Sequence, residues 1–228
     1  MNCFLATGAP CSLLQSKRPD LFEVHLTISP CRPDELQDFF ALCTQLRWKA
    51  IVIDLAPHVP QQPMTCSRVA GSLSDVYTHA EFGCTQLETA GFSVTRVKIE
   101  AAPWNSHVPQ DDHERLQHHS TAYFEYHAKL HLPLTGWEAT LSTICPMFTA
   151  HLSHNALRVT DNGWTERFAT IRSHDCGLAS FQLHTDRFGH TLQSHGFSVL
   201  KTVTEYCIYD TNTALDANWY PSPLGHVR

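Results

Sequence analysis

The sequence predicts an α+β fold made by tandem duplication of one unit of roughly 100 residues. One observation is that Phe-Glu-Val-His at 22–25 returns as Phe-Glu-Tyr-His at 124–127, 102 residues later. Another is that Gly-Phe-Ser-Val at 91–94 returns unchanged at 196–199, 105 residues later. The third is that hydrophobic periodicity changes from strand-like to helix-like in the same order in both copies. Each unit is therefore expected to bury one face against the other.

The first copy opens with a strict alternation of apolar and polar residues over 22–29, which is typical of a half-buried strand. An apolar pattern at helical spacing follows Pro33, and a second helix is predicted to end at Gly91. We expect strands over 22–29, 50–55, 64–69 and 93–101, and helices over 33–46 and 72–90. This order is the ferredoxin-like βαββαβ arrangement, an antiparallel sheet with both helices on one face.

The second copy repeats this order. We expect its strands near 123–132, 149–156, 166–173 and 198–209, and its helices near 134–146 and 177–195. The predicted organisation is a loose N-terminal tail over 1–20, a first ferredoxin-like repeat over 21–102, a linker over 103–121, a second repeat over 122–210 and a C-terminal tail over 211–228. The two lobes are expected to face each other across a pseudo-twofold cleft or barrel. If the open sheet faces instead point outward, a homodimer that covers them is the alternative.

Composition narrows the class of protein. The formal charge of −6 and the lack of a basic run argue against general nucleic-acid binding. No apolar stretch approaches the roughly 20 residues that span a bilayer, so no membrane association is expected. Nine cysteines, without any Cys-x-x-Cys pair, indicate neither a zinc ribbon nor a closed disulfide framework. We therefore expect a cytoplasmic protein.

Polar residues that alternate along the strands are predicted to share the face that the helices leave uncovered. In a ferredoxin-like sheet the first and last strands are neighbours, so their polar residues should lie side by side. The first and last strands contribute Glu23, His25, Thr27, Arg96, Lys98 and Glu100 in one copy, and Glu125, His127, Lys129, Lys201 and Glu205 in the other. The second strand of the later copy adds His151, Ser153 and Asn155, and the third strands add Thr65, Ser67, Thr170 and Arg172. Asp210 and Asp216 are expected in exposed turns.

One interpretation of this set is structural. Repeated Glu and His positions can form a hydrogen-bonded polar interface between two lobes, without any ligand. The number of charged groups argues against a purely structural role, because an interface that only needed to pack would use apolar residues.

A second interpretation is phosphate chemistry. The segment Val24-His25-Leu26-Thr27-Ile28 resembles the apolar-His-apolar-Thr-apolar motif of the 2H phosphoesterase superfamily, and Ala150-His151-Leu152-Ser153 resembles a second such motif. The resemblance covers these short segments and the two-lobed architecture. It implies two histidines that act as acid and base, with a hydroxyl group that binds phosphate. The internal repeat, however, pairs His25 with His127 and not with His151.

A third interpretation is a divalent metal site. His25 and Glu100 from the first copy, with His127 and Glu205 from the second, resemble the ligand pattern of the vicinal oxygen chelate superfamily, in which two repeated modules hold one metal. A mixed imidazole and carboxylate set with open positions suits Zn, Fe, Ni or Mn, so a divalent ion of this group is the expected cofactor under this interpretation and none is required under the other two. That family's module lacks a helix equivalent to the one predicted over 72–90.

The basic residues favour an anionic small molecule as the ligand. We therefore expect a small enzyme, phosphoesterase-like in its use of His acid–base chemistry between the lobes, with a metal-dependent enzyme and a non-catalytic metabolite-binding protein as alternatives. The predicted catalytic residues are His25, His127, Thr27, Glu23 and Glu125. The predicted ligand-binding residues are Arg96, Lys98, Lys129, His151, Ser153, Asn155, Arg172 and Lys201.

Overall fold

A computed structural model describes residues 18–54, 61–117, 120–155 and 163–216. The side chains of Asp54, His154 and Asn155 lie outside this description, as do the ends 1–17 and 217–228 of the two predicted tails.

Each repeat contains four strands and two long helices in the predicted order. The strands are β1 Leu21–Ile28, β2 Lys49–Asp54, β3 Gln62–Ala70, β4 Val94–Ala101, β5 Tyr123–Pro133, β6 His151–Asn155, β7 Trp164–Ser173 and β8 Ser198–Asp210. The helices are α1 Pro33–Gln45, α2 Leu73–Thr89, α3 Asp112–Gln117, α4 Glu138–Met147 and α5 Leu178–Ser194, and a 3-10 helix spans Thr213–Asp216.

Local sequence explains where the helices begin and end. Ser72 caps α2 through a reciprocal pair of hydrogen bonds with Asp75. Gly91 and Gly196 follow α2 and α5 with φ of 90° and 83°, the left-handed region that favours glycine. Helix α4 begins at Glu138, later than predicted, because β5 continues to Pro133 and a turn at Gly136 intervenes.

The eight strands close into one antiparallel barrel in the order β1-β3-β2-β6-β7-β5-β8-β4. Each repeat supplies a four-stranded sheet, and the edges join where β2 pairs with β6 and β4 pairs with β8. The duplicated ferredoxin-like fold and the meeting of the two open faces are therefore confirmed. None of the described helices combines the length and apolar character needed to cross a bilayer.

The alternation along β1 separates the core from the barrel interior. Phe22, Val24, Leu26 and Ile28 are buried beneath the helices. The alternate residues of the strand, which include Glu23 and His25, point into the barrel and line its cavity. The helices therefore cover the outside of the barrel, and the polar side chains are left to fill its interior.

The segment between the repeats contains helix α3 and a buried side chain. Arg115 donates hydrogen bonds to the carbonyl oxygens of His174 and Ala122. This arginine fastens the connection to the second repeat.

Candidate functional site

The barrel encloses a cavity of about 550 Å³ to which both repeats contribute side chains. In the first repeat, the ladder places Glu23 opposite Glu100 and His25 opposite Lys98. In the second repeat, it places Glu125 opposite Glu205. The predicted pairing of the first and last strands thus brings the acidic residues and imidazoles of both copies into one interior.

The first repeat forms a cluster around His25. Its Nε2 atom lies 3.0 Å from Glu100 Oε2 and 3.4 Å from Glu23 Oε1. The thiol of Cys66 donates to the same Glu23 Oε1 at 2.9 Å, while Arg68 Nε donates to Glu23 Oε2 at 2.8 Å. The other ring nitrogen of His25, Nδ1, is buried and has no hydrogen-bond partner among the described residues. His25 is therefore held from one side only.

The second repeat holds its histidine from both sides. His127 Nε2 lies 3.5 Å from Glu125 Oε2 and 3.7 Å from Glu205 Oε2. His127 Nδ1 lies 2.9 Å from the hydroxyl oxygen of Thr170. Burial opposes protonation of His127, but hydrogen bonding and charge from Glu125, together with Glu205, raise its pKa above the ordinary value.

Lys98 joins the two clusters. Its ammonium forms ion pairs with Glu100 Oε1, at 2.7 Å, and with Glu125 Oε2. Although burial opposes ionisation of Glu100, Lys98 and His25 lower its pKa to about 2. Burial likewise opposes ionisation of Glu125, but Lys98 and Arg172 hold its pKa well below the ordinary value. Both carboxylates are therefore charged at neutral pH.

Glu205 is the exception among the interior glutamates. Burial, followed by the negative charge of Glu100, raises the pKa of Glu205 to about 8. Its ion-pair contact among the described residues is with the imidazole of His127 and not with an arginine or lysine. Glu205 therefore binds a proton more tightly than an ordinary glutamate, because too little positive charge lies near its carboxylate to stabilise the ionised form.

An ion-pair network closes one end of the barrel. Arg96 donates to both carboxylate oxygens of Asp210 and of Asp216, at 2.6 to 3.0 Å. Arg172 binds Asp216 Oδ2 at 2.7 Å, and the Tyr123 hydroxyl donates to Asp210 Oδ2 at 2.6 Å. The expectation that Asp210 and Asp216 lie in exposed turns is therefore wrong: both side chains are buried, because they neutralise arginines from both repeats.

The third strand of the first repeat is one residue out of phase with the prediction. Thr65 lies opposite Leu26 and accepts a hydrogen bond from its backbone N–H, and Ser67 bonds His79 of α2. Thr65 therefore faces the helices, so its predicted place in the cleft is wrong. Ser67 is among the residues that line the cavity, but its hydroxyl is directed at α2. Cys66 and Arg68 face the interior instead, opposite His25 and Glu23. A shift of one residue exchanges the two faces of a strand.

The available signal for the correct phase was charge complementarity. Arg172 lies opposite Glu125 in the second repeat, and Arg68 occupies the matching place opposite Glu23. The shift of 105 that relates the two Gly-Phe-Ser-Val segments aligns Thr65 with Thr170, whereas Arg68 and Arg172 are 104 residues apart. The sequence analysis therefore missed Cys66 and Arg68.

The remaining predicted residues are dispersed around the barrel. Thr27 is buried opposite Arg96, and Lys129 pairs with Glu166 at 2.6 Å. Ser153 and Lys201 line the cavity. His151 lies opposite Thr170, on a strand separated from that of His25 by β3 and β2. Asn155 pairs through its backbone with Ile53, and its side chain is outside the described part of the chain.

Burial and Glu23 raise the pKa of Cys66, which keeps the thiol protonated as the donor to Glu23. The described residues contain two groups of possible metal ligands, and within each group the ligand atoms lie within 4.8 Å of one another. One group is Glu23, His25 and Cys66, and the other is Glu100, Glu125 and His127. The short distance between His25 and Glu100 joins these groups. The interior thus offers imidazole, carboxylate and thiol donors in one continuous cluster.

No family model matches the chain, and no curated protein matches it by sequence. It is similar to the solved structure of the acetolactate synthase small subunit from Thermotoga maritima, with 11% identity and a TM-score of 0.29, over 85% of this chain and 96% of that one. It is also similar to a variant of chlorite dismutase from Candidatus Nitrospira defluvii, with 12% identity and a TM-score of 0.28, over 87% of this chain and 93% of that one. Likenesses this weak carry no argument about function.

Proposed function

We propose that the barrel interior binds a divalent metal ion within the cluster of imidazole, carboxylate and thiol donors to which His25 and Glu100 belong, and that this centre serves the reaction of a small molecule in the cavity. The observation that carries the proposal is the continuous cluster of imidazole, carboxylate and thiol donors that the short contact between His25 and Glu100 creates.

The carboxylates that face the interior outnumber the cations paired with them in the described residues by two. The carboxylates are Glu23, Glu100, Glu125, Glu205, Asp210 and Asp216, and their cationic partners are Arg68, Arg96, Lys98 and Arg172. Glu205 has its ion-pair contact, among the described residues, with an imidazole and not with an arginine or lysine, so its carboxyl group is available as a ligand.

Most of the basic residues that were predicted to bind an anion are already paired with carboxylates of the protein. Arg96, Lys98, Lys129 and Arg172 were expected to bind an anionic ligand, but each forms an ion pair with a carboxylate. Lys98 does not block a metal ion near His25, because it binds Glu100 Oε1 and leaves Oε2 directed at the imidazole. A mixed imidazole and carboxylate set suits Zn, Fe, Ni or Mn.

The cavity of about 550 Å³ is large enough for a metabolite-sized molecule beside the ion. A divalent ion in such a site can polarise a carbonyl or phosphoryl oxygen, or lower the pKa of bound water. His127 and Glu205, at 3.7 Å, supply a neighbouring pair that can exchange a proton.

Elemental analysis of the tag-free protein, purified without chelators, tests the proposal. We expect about one divalent ion per chain in the wild type and little in the His25→Ala, Glu100→Gln double variant. The matched control is His190→Ala, which removes an exposed imidazole on the outer surface of α5 and should retain the metal. Equal metal content in the double variant and the control would refute an interior site.

Acid–base chemistry without a metal is the second candidate, directed at a phosphorylated or other anionic small molecule. Arg47, Lys49 and Lys201 line the cavity and form no ion pair with any residue in the described ranges, so they can bind an anion. If this candidate is correct, phosphorylated compounds will raise the Tm of metal-free wild type, and Lys201→Ala will reduce that shift. A metal-free protein that no anion stabilises would exclude it.

A further inference from the structure

The donor atoms of the first repeat are arranged differently from those of the second. Cys66, Glu23 and His25 line the cavity wall, and one ligand atom of each lies within 4.8 Å of the other two. Glu100 Oε2 lies beside this group, 3.0 Å from His25 Nε2, and is the nearest candidate for a fourth donor. In the second repeat, the position opposite His127 is occupied by Thr170, whose hydroxyl is a weaker metal ligand than a thiolate.

The spacing of the first-repeat donors approaches that of a tetrahedral zinc site. Bonds of about 2.0 to 2.3 Å at tetrahedral angles place neighbouring donor atoms roughly 3.3 to 3.6 Å apart. Glu23 Oε1 and His25 Nε2 are 3.4 Å apart. The contacts of Cys66 with Glu23 and of His25 with Glu100, at 2.9 and 3.0 Å, are hydrogen-bond distances, so these donors need to separate by a few tenths of an ångström to bind one ion.

Two cations orient the carboxylates around this position without occupying it. Arg68 binds Glu23 Oε2, which turns Oε1 towards Cys66 and His25. Lys98 binds Glu100 Oε1, which turns Oε2 towards His25. Outer groups that fix the orientation of ligands in this way are a general feature of metal centres.

We propose that the metal ion of the barrel is held asymmetrically, by Cys66, Glu23, His25 and Glu100, and that the site selects zinc over manganese or magnesium. This inference rests on the proposed function, and it replaces the pseudo-symmetric donor set with donors from the first repeat. A thiolate ligand favours zinc, whereas manganese and magnesium prefer oxygen donors. His127 and Glu205 then remain free to bind substrate or transfer protons.

Binding is balanced by the release of a proton. The Cys66 S–H bond breaks, its sulfur forms a bond to the divalent ion, and the proton leaves to solvent. The proton on His25 Nε2 moves to Nδ1, so that the Nε2 lone pair can bind the ion. No oxidant or reductant takes part, and the charge inside the barrel rises by one unit for each ion bound.

Cobalt substitution tests the inference on the full-length, tag-free chain after removal of metal with a chelator. Wild type loaded with Co²⁺ should show an intense near-ultraviolet thiolate-to-cobalt absorption band, and it should bind Zn²⁺ more tightly than Mn²⁺. Cys66→Ser should abolish the band and weaken Zn²⁺ binding at least roughly tenfold. The matched control, Cys84→Ser on α2, and the variant His127→Ala should keep the band.

The outcomes separate this inference from the proposed function. Cobalt bound to wild type without the band, or a band that persists in Cys66→Ser, would overturn the asymmetric site. An ion lost from His127→Ala as readily as from His25→Ala would also overturn it, while leaving an interior metal site in place. If wild type binds no ion at all, both proposals fail. The wild-type spectrum gives its answer whether or not a variant folds.

Discussion

The two repeats carry the same Glu-x-His motif on their first strands, but the strands beside them differ. Arg68, opposite Glu23, has a side chain that is 66% exposed, whereas Arg172, opposite Glu125, is only 6% exposed and also binds Asp216. Cys66 lies opposite His25, and Thr170 lies opposite His127. Duplication has therefore produced one half that is locked by ion pairs and another whose donors remain available to a ligand.

The largest expected difference between the halves is in stability. Arg172→Met should lower the free energy of unfolding by roughly 3 to 5 kcal/mol, because it leaves Glu125 and Asp216 buried without their shared cation. The equivalent Arg68→Met should cost about 0 to 1 kcal/mol, since that pair is largely exposed to solvent. Urea unfolding of metal-free protein measures both, and equal losses would contradict the distinction.

Stabilisation by a bound metal ion should depend on the first repeat and not on the second. Zn²⁺ at 100 times its Kd should stabilise wild type by about 2.7 kcal/mol. This gain should fall to about 1.4 kcal/mol or less in Cys66→Ser, where Zn²⁺ binds at least roughly tenfold more weakly. It should persist in Thr170→Val, because only the first position supplies a ligand. Thermal unfolding with and without Zn²⁺ checks the pair of variants, and a gain lost in Thr170→Val alone would assign the ion to the second repeat.

The repeat-equivalent carboxylates Glu100 and Glu205 have opposite pKa shifts, to about 2 and about 8. A carboxyl whose pKa is raised on folding binds a proton more tightly in the folded state, so its contribution to stability is lost as pH rises from about 4.5 towards 8. In chelator-treated protein, Glu205→Gln should flatten this decline. The effect should be smaller than the first two, because water reaches the Glu205 side chain, which is 15% exposed.

Urea midpoints of wild type and Glu205→Gln at pH 5 and pH 8 give the comparison. Parallel declines in the two proteins would show that Glu205 does not retain a proton in the folded barrel.

The smallest predicted effect concerns the orientation of His127. Thr170→Val removes the hydroxyl that contacts His127 Nδ1, and it should cost roughly 0.5 to 1.5 kcal/mol of stability. The His127 pKa, followed by NMR, should change, while that of exposed His190 serves as an internal control. An unchanged His127 titration would mean that the hydroxyl does not fix the ring.

Periodicity and internal repeats were sufficient to predict the fold because they depend on local pattern. The alternation along 22–29, the glycines at 91 and 196 and the order of elements each correspond to a feature of the structure. Closure of the barrel followed from the expectation that two polar faces meet. The join between β2 and β6 and between β4 and β8 could not be read from sequence, because it depends on long-range pairing.

The candidate site was predictable only in part. The pairing of Glu23 with Glu100 and of Glu125 with Glu205 followed from the sheet order. The phase of β3 was missed because polar residues alternate on both of its faces, so Cys66 and Arg68 were not distinguished from Thr65 and Ser67. Which cations were free to bind a ligand depended on distant partners such as Asp216, which no local pattern reveals.

Elemental analysis of the tag-free, chelator-free wild type is the most direct test of a metal centre inside the barrel. We expect about one divalent transition-metal ion per chain, with zinc favoured. A chelator should remove the ion, and added Zn²⁺ should reoccupy the site and raise the Tm. Protein that contains no divalent metal, and whose Tm is unchanged by Zn, Fe, Ni, Co or Mn, would contradict this expectation. The interior would then be an ion-pair network that operates without a metal.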